Sequence, residues 1–133
     1  MIVDSSALIA MMKGEPESDV FHRTLHAASA NRLSAANFVA ASTVVDSFRD
    51  AVASRQFDDL LTSLRITIEP VTESQARIAR EAYRDFGKGS GHKAKLNFGD
   101  CFAYALARET AEPLLYKGND FVHTDIESAL KKH

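Results

Sequence analysis

The chain has one cysteine, Cys101, among 133 residues. A single thiol excludes an internal disulfide framework and a cysteine-based zinc site, and it suits a reducing cytoplasm. No apolar run approaches the roughly 18 residues that a membrane span needs, and the N-terminus lacks the basic segment of a secretory leader. These absences predict a soluble, cytoplasmic protein. Neither sign of charge prevails, with 16 Lys and Arg against 18 Asp and Glu. The net charge of −2 does not advertise nucleic-acid binding, although local patches set that footprint rather than totals. The histidines carry no H-E-x-x-H pattern. His22 and His26 are four apart without the glutamate, which predicts a solvated helix face. Repeats and low-complexity tracts are absent. What remains is 45% hydrophobic and 26% charged, the composition of one globular domain over residues 1–133 with a real core.

Short apolar runs alternate with helical patterns. Met1-Ile2-Val3 predicts a strand, and Ser5 to Met12 a helix broken by Gly14 and Pro16. Residues 17–30 predict a second helix, with Val20, Leu25 and Ala28 inward. Arg32 to Ser34 is a weak strand. Ala36 to about Ser54 predicts one long helix burying Phe38, Val45, Phe48 and Val52 on one face. Another turn or two follows at 57–64. A strand is predicted at Ile66-Thr67-Ile68-Glu69. Thr72 and Gln75 form a capping box for a helix with Ala76, Ala79, Tyr83 and Phe86 on one stripe. A glycine-rich loop runs from Gly87 to Leu96. Asn97 then caps a helix reaching about Glu109, and Leu114-Leu115-Tyr116 is the last strand, before a loop and a tail ending Lys131-Lys132-His133. This order predicts an α/β fold with a parallel sheet covered on both faces.

Aspartates stand at the joints of this pattern. Asp4 ends the first strand, Asp100 opens a helix, Asp120 follows the last strand, and Asp125 lies just beyond it. In such folds ligands gather at the carboxyl ends of the strands. Carboxylates converging there from separate loops suit a hard cation such as Mg²⁺. Each also has a structural use: Asp4 as a helix cap, Asp100 at the third helical position, Asp120 in a turn. Their joint placement favours a metal site. Between Gly87 and Phe98, Lys88, His92, Lys93 and Lys95 occur with no acidic residue, which makes them candidates for RNA phosphate contact or simply a solvated loop.

Three ordered motifs carry a resemblance. Val3-Asp4-Ser5-Ser6-Ala7-Leu8 is similar to the opening Asp-Thr-Ser-Ala motif of the PIN-domain VapC-type toxins of bacterial toxin–antitoxin operons. Leu96-Asn97-Phe98-Gly99-Asp100-Cys101 resembles their central acidic helix. Lys117-Gly118-Asn119-Asp120-Phe121, followed by Thr124-Asp125-Ile126, resembles their closing motif. The resemblance implies a three-layer α/β/α PIN-like domain with a mainly parallel central sheet. It implies a Mg²⁺- or Mn²⁺-dependent endoribonuclease acting on structured RNA, often tRNA, a homodimer, and inhibition by a VapB-type antitoxin. Asp4 and Asp100 carry over as metal-binding and catalytic carboxylates and Asp120 as the third catalytic one. Ser6 supports the first aspartate, and Asn119 is a polar neighbour.

One position departs from the family. In Ser34-Ala35-Ala36-Asn37-Phe38-Val39-Ala40, Ala40 stands where the family usually has a glutamate of the acidic site. Asp46 is about 240° further around a helix and is a poor substitute. A chain altered here, by design or by nature, is expected to cleave slowly or not at all. The alternative is a non-catalytic PIN-fold module that binds RNA or antitoxin. A phosphoaspartyl enzyme built on Asp4 lacks its second aspartate, because Ser6 occupies that place.

Overall fold

In a computed structural model, which describes residues 1–130, four parallel strands form one sheet in the order β3-β2-β1-β4. β1 is Ile2–Val3, β2 Asn31–Ser34, β3 Ile66–Glu69 and β4 Leu114–Leu115. Two-residue strands suffice at β1 and β4 because each side chain there is wholly buried. Ile2 and Leu114 point into one apolar cluster, Val3 and Leu115 into the other. Alternation along a strand thus feeds both faces, as a doubly covered parallel sheet requires.

Helices α1 (Ser5–Met12), α2 (Ser18–Ala27), α3 (Ala35–Asp46) and α4 (Ala51–Ser63) cover one face. They bury Leu8, Met11, Phe21, Leu25, Val45, Phe57 and Leu61 against Val3, Leu33 and Leu115. Helices α5 (Glu73–Phe86) and α6 (Phe98–Thr110) cover the other with Ala79, Ala82, Cys101, Tyr104 and Leu106. Each fully buried aliphatic side chain contributes about 1.5–3 kcal/mol. The three layers match the expected α/β/α architecture.

Several local expectations need correction. The long helix is two helices. It stops at Asp46, Arg49 adopts a left-handed φ of 53°, and Asp50 caps α4 by accepting the Val52 and Ala53 N–H groups. The break turns Phe48 and Val52 outward, 55% and 64% exposed. In α2 the inward residues are Phe21 and Leu25, while Val20 is exposed. Thr72 Oγ1 accepts the Gln75 N–H at 3.2 Å, but Gln75 Oε1 has no partner, so only half of that capping box forms. On α5 the stripe holds at Ala79 and Phe86, whereas Ala76 and Tyr83 are exposed. The tail at 131–133 lies outside the described residues.

Gly87 caps the end of α5 in extended conformation, and only glycine fits there because a Cβ would collide with the Tyr83 carbonyl. Past β4, Ser128 bridges to Leu114 and closes part of that sheet edge. No described helix is long and apolar enough to cross a membrane.

Candidate active site

All four strands run the same way, so the carboxyl ends of β1, β2 and β4 share one edge of the sheet. The chain leaves β1 at Asp4, leaves β2 into α3, and leaves β4 into the turn 117–120. α6 returns towards β4, which brings its N-terminus to the same edge. A cleft of about 320 Å³ opens there, and Asp4, Asp100, Asp120 and Ala40 all line it.

Two of these carboxylates are held by the helix starts they cap. Asp4 Oδ2 accepts the Ser6 N–H at 3.0 Å as the N-cap of α1. Asn97 and Asp100 form a reciprocal capping box on α6: Asp100 N–H to Asn97 Oδ1 at 2.9 Å, and Asn97 N–H to Asp100 Oδ2 at 3.0 Å. The structural and chemical uses of these residues therefore coexist, because a cap occupies one carboxylate oxygen and leaves the other. Asp120 differs. It is exposed, on a turn that Gly118 opens with φ 96°, a conformation costly for any residue with a Cβ.

Asp4 is 3% exposed and Asp100 6%. Burial pushes the Asp4 carboxyl above its usual range; the Ser6 hydroxyl and N–H and the Ser5 N–H oppose this, and the Asp120 charge adds to it. The Asp100 carboxyl is raised chiefly by burial, then by Asp4 and Asp120, against the Asn97 N–H. Like charges crowded into a low-dielectric cleft hold protons unless a cation neutralises them. Hard oxygen donors are the set that Mg²⁺ or Mn²⁺ takes. Among the described residues, no three His, Cys, Asp or Glu side chains are arranged to hold a metal ion. The donors fit an ion that keeps much of its water shell, as Mg²⁺ does on one or two protein carboxylates. Asp4 and Asp100 would supply those two, and Ala40 supplies nothing.

Ser6 joins the two ends of the site. Its hydroxyl oxygen accepts the Lys117 N–H at 2.9 Å, while its own N–H donates to Asp4 Oδ2 at 3.0 Å. Lys117 Nζ pairs with Glu15 and Glu17, tying the turn that carries Asp120 to the link between α1 and α2. Asn119 is exposed in that turn and does not line the cleft. Asp125 is also elsewhere: its carboxylate accepts from Tyr104 Oη at 2.7 Å and Arg108 at 2.9 Å, latching the last loop onto α6.

Asn37 escaped sequence reasoning. It is 1% exposed and lines the cleft. Its Nδ2 donates to Ser5 Oγ at 3.2 Å and Gly99 O at 3.0 Å, linking α3 to both acid-bearing helix starts. Its signal was available: three residues before Ala40 on a helix puts it on the same face.

The basic loop 87–96 closes on itself through a Gly87–Leu96 bridge and leads into Asn97 at the cleft. Lys88, Lys93 and Lys95 are exposed. His92 is half-buried, edge-on to Phe86, with Nδ1 accepting the Ala94 N–H, so it shapes the loop.

The PIN domain family model matches residues 1–127. The chain belongs to the PIN-domain family, among the VapC proteins. It is 52% identical over 132 residues to Ribonuclease VapC28 of Mycobacterium tuberculosis, covering 99% of both chains. Ribonuclease VapC42 of the same species is 46% identical over 129 residues, covering 97% of this chain and 98% of that protein. In structure, VapC20 of M. tuberculosis, described as a sarcin-ricin loop cleaving toxin, superposes with a TM-score of 0.72 at 16% identity, covering 94% and 95% of the two chains. A chain of a toxin–antitoxin complex from Klebsiella pneumoniae gives 0.68 at 17% identity, with coverage of 93% and 92%. These two similarities establish the PIN fold.

Proposed function

We propose that this VapC-family chain is built as the endoribonuclease toxin of a type II toxin–antitoxin pair, a single cytoplasmic PIN domain that acts on structured RNA, tRNA included. The observation that carries the reading is the meeting of Asp4, Asp100 and Asp120 in one cleft at the carboxyl edge of the sheet. A bound Mg²⁺ or Mn²⁺ would activate water and offset charge on the scissile phosphate.

The protein's own part is positional. Ser6 holds Asp4, the capping box holds Asp100, and Asn37 fixes the two helix starts relative to each other. Asp120 reaches the cleft from its exposed turn, which the Lys117 contacts anchor. Without a cation an acidic cleft repels phosphate, so Lys88, Lys93 and Lys95 supply the attraction at longer range. Ala40 removes one acidic oxygen donor from the cleft wall, and activity is reduced accordingly. A VapB-type antitoxin and a second copy complete the proposed partners, with an antitoxin arginine facing Asp4 and Asp100.

Ala40 also favours a second reading, in which the fold survives as a binding module without catalysis. The deciding experiment incubates the purified chain and its Ala40→Glu variant with total cellular RNA in Mn²⁺ and in EDTA. Metal-dependent cleavage by Ala40→Glu supports the nuclease. An inactive variant that still binds RNA or antitoxin supports the module.

A further inference from the structure

On the other side of the α6 N-terminus from Asp100 lies an apolar groove of about 310 Å³ between α5 and α6. Ala79 and Cys101 are buried at its base; Tyr83 from α5 and Phe98 from α6 rise beside it. Phe98 is 76% exposed, the most exposed large hydrophobic side chain among the described residues, and Tyr83 is 49% exposed. Neither ring is loose. Phe98 is braced edge-on by Phe102 at 4.9 Å, and Tyr83 Oη donates to the Lys88 carbonyl at 3.3 Å.

The charged residue that lines the groove itself is Arg80, although Glu73 and Glu81 share the neighbouring face of α5 with it. Arg77 pairs with Glu73 and Arg84 with Asp85, but Arg80, which lines the groove, makes no ion pair among the described residues. The Lys88 carbonyl that holds Tyr83 begins the loop bearing Lys93 and Lys95, and from Gly87 to Gly99 there is no acidic residue. Braced aromatic faces, an unpaired guanidinium and flanking lysines match a single-stranded nucleic acid, whose bases stack while its phosphates seek cations. Phe98 is two residues from Asp100, so a strand stacked here reaches the acidic cleft within a nucleotide or two.

We propose that the Phe98–Tyr83 groove is a stacking subsite for an unpaired RNA base near the scissile phosphate, with Arg80 and the 88–95 lysines on its backbone. This deepens the ribonuclease reading and rests on it. It narrows the substrate to RNA presenting an unpaired base beside the cut, such as a loop.

The test measures binding, by fluorescence anisotropy in EDTA, of the full chain to a dye-labelled single-stranded RNA and to the same RNA with single abasic sites. Phe98→Ala should weaken binding about tenfold, within the range for losing one stacked base. It should leave the salt slope unchanged and abolish the penalty of the abasic site. Phe98→Tyr should restore binding. Joint replacement of Lys88, Lys93 and Lys95 by Gln should instead flatten the salt slope and keep the abasic penalty. Equal binding by Phe98→Ala, with the lysine variant impaired, overturns the subsite and leaves the RNA reading standing. If the unsubstituted chain binds no RNA either in EDTA or with Mg²⁺ added, the RNA reading fails and takes the subsite with it. If sedimentation shows a dimer that Phe98→Ala converts to monomer, a second copy covers the groove and the proposal is overturned. Circular dichroism checks each variant's fold, which an exposed ring at position 98 does not support.

Discussion

Replacing Asp100 by asparagine should make the metal-free protein more stable. Burial and the charges of Asp4 and Asp120 push the Asp100 carboxyl up to about 8 from an ordinary 3.8. At 1.36 kcal/mol per pH unit this sets a ceiling of about 5–6 kcal/mol on the strain of ionising it. The repulsion is shared among three carboxylates and the cleft is open to water, so about 2–3 kcal/mol is expected. Asparagine removes the charge but keeps an oxygen for the Asn97 N–H, now 3.0 Å from Asp100 Oδ2, so the cap survives. For a chain of this size the gain corresponds to a rise in Tm of about 6–12 °C. The sign with pH follows from the raised carboxyl. A folded state that holds its proton more tightly than the unfolded chain has its full advantage below about pH 4 and loses it as pH climbs towards 8. The two proteins should therefore melt together near pH 4 and diverge above it, with Asp100→Asn the more stable. Scanning calorimetry in EDTA at several pH values reads both effects. Adding Mg²⁺ should then stabilise the unsubstituted chain and leave the variant less affected. If Asp100→Asn melts at or below the unsubstituted chain at pH 8 without metal, the carboxylates do not strain one another and the cation argument loses its basis.

Ala40→Glu should bind Mn²⁺ about tenfold more tightly, a change of about 1.4 kcal/mol, by titration calorimetry; equal affinity would place position 40 outside the ion's surroundings. Tyr104→Phe should cost about 1–2 kcal/mol in thermal melts, because a mostly buried hydroxyl shared by Asp125 and Arg108 is lost. Cleavage in the Ala40→Glu background should be nearly unchanged by Asp125→Asn and lost with Asp4→Asn. Since only Asp4 lines the cleft, equal losses would mean that Asp125 also acts in catalysis. The double change Asp4→Ala, Asp100→Ala should weaken a cognate VapB-type antitoxin by about 2–5 kcal/mol, measured by calorimetry, and unchanged affinity would place the antitoxin elsewhere.

The layers were legible because short strands alternating with helices imply a parallel sheet covered on both faces, and Ser5–Met12 and Ile66–Glu69 form where the pattern placed them. The long helix failed for a physical reason. Phe38, Val45, Phe48 and Val52 do recur at helical spacing, but Asp50 offers its carboxylate to two N–H groups, and that local bond starts a new helix. Periodicity alone does not register such a cap. The same blindness touched Tyr83, whose stripe position is helical but lies beyond the edge of the core.

At the site, sequence reasoning found the carboxylates because chain joints fall at strand ends. It misjudged what surrounds them, because hydrogen bonding across layers leaves no local pattern. Asn37 bonds Gly99, 62 residues away, and Ser6 bonds Lys117, 111 residues away. Both contacts are made between helix starts or turns rather than within an element. This bears on Ala40. Asp4 and Asp100 are fixed by caps, by Ser6 and by Asn37, and none of those bonds passes through residue 40. On the proposed reading, an alanine at position 40 therefore lacks a donor without unlocking the others. The Asp4 and Asp100 carboxyls stay crowded and high in proton affinity, and a single substitution at an exposed position of α3 is expected to complete the cleft. Restored cleavage by Ala40→Glu is thus expected without any compensating change elsewhere.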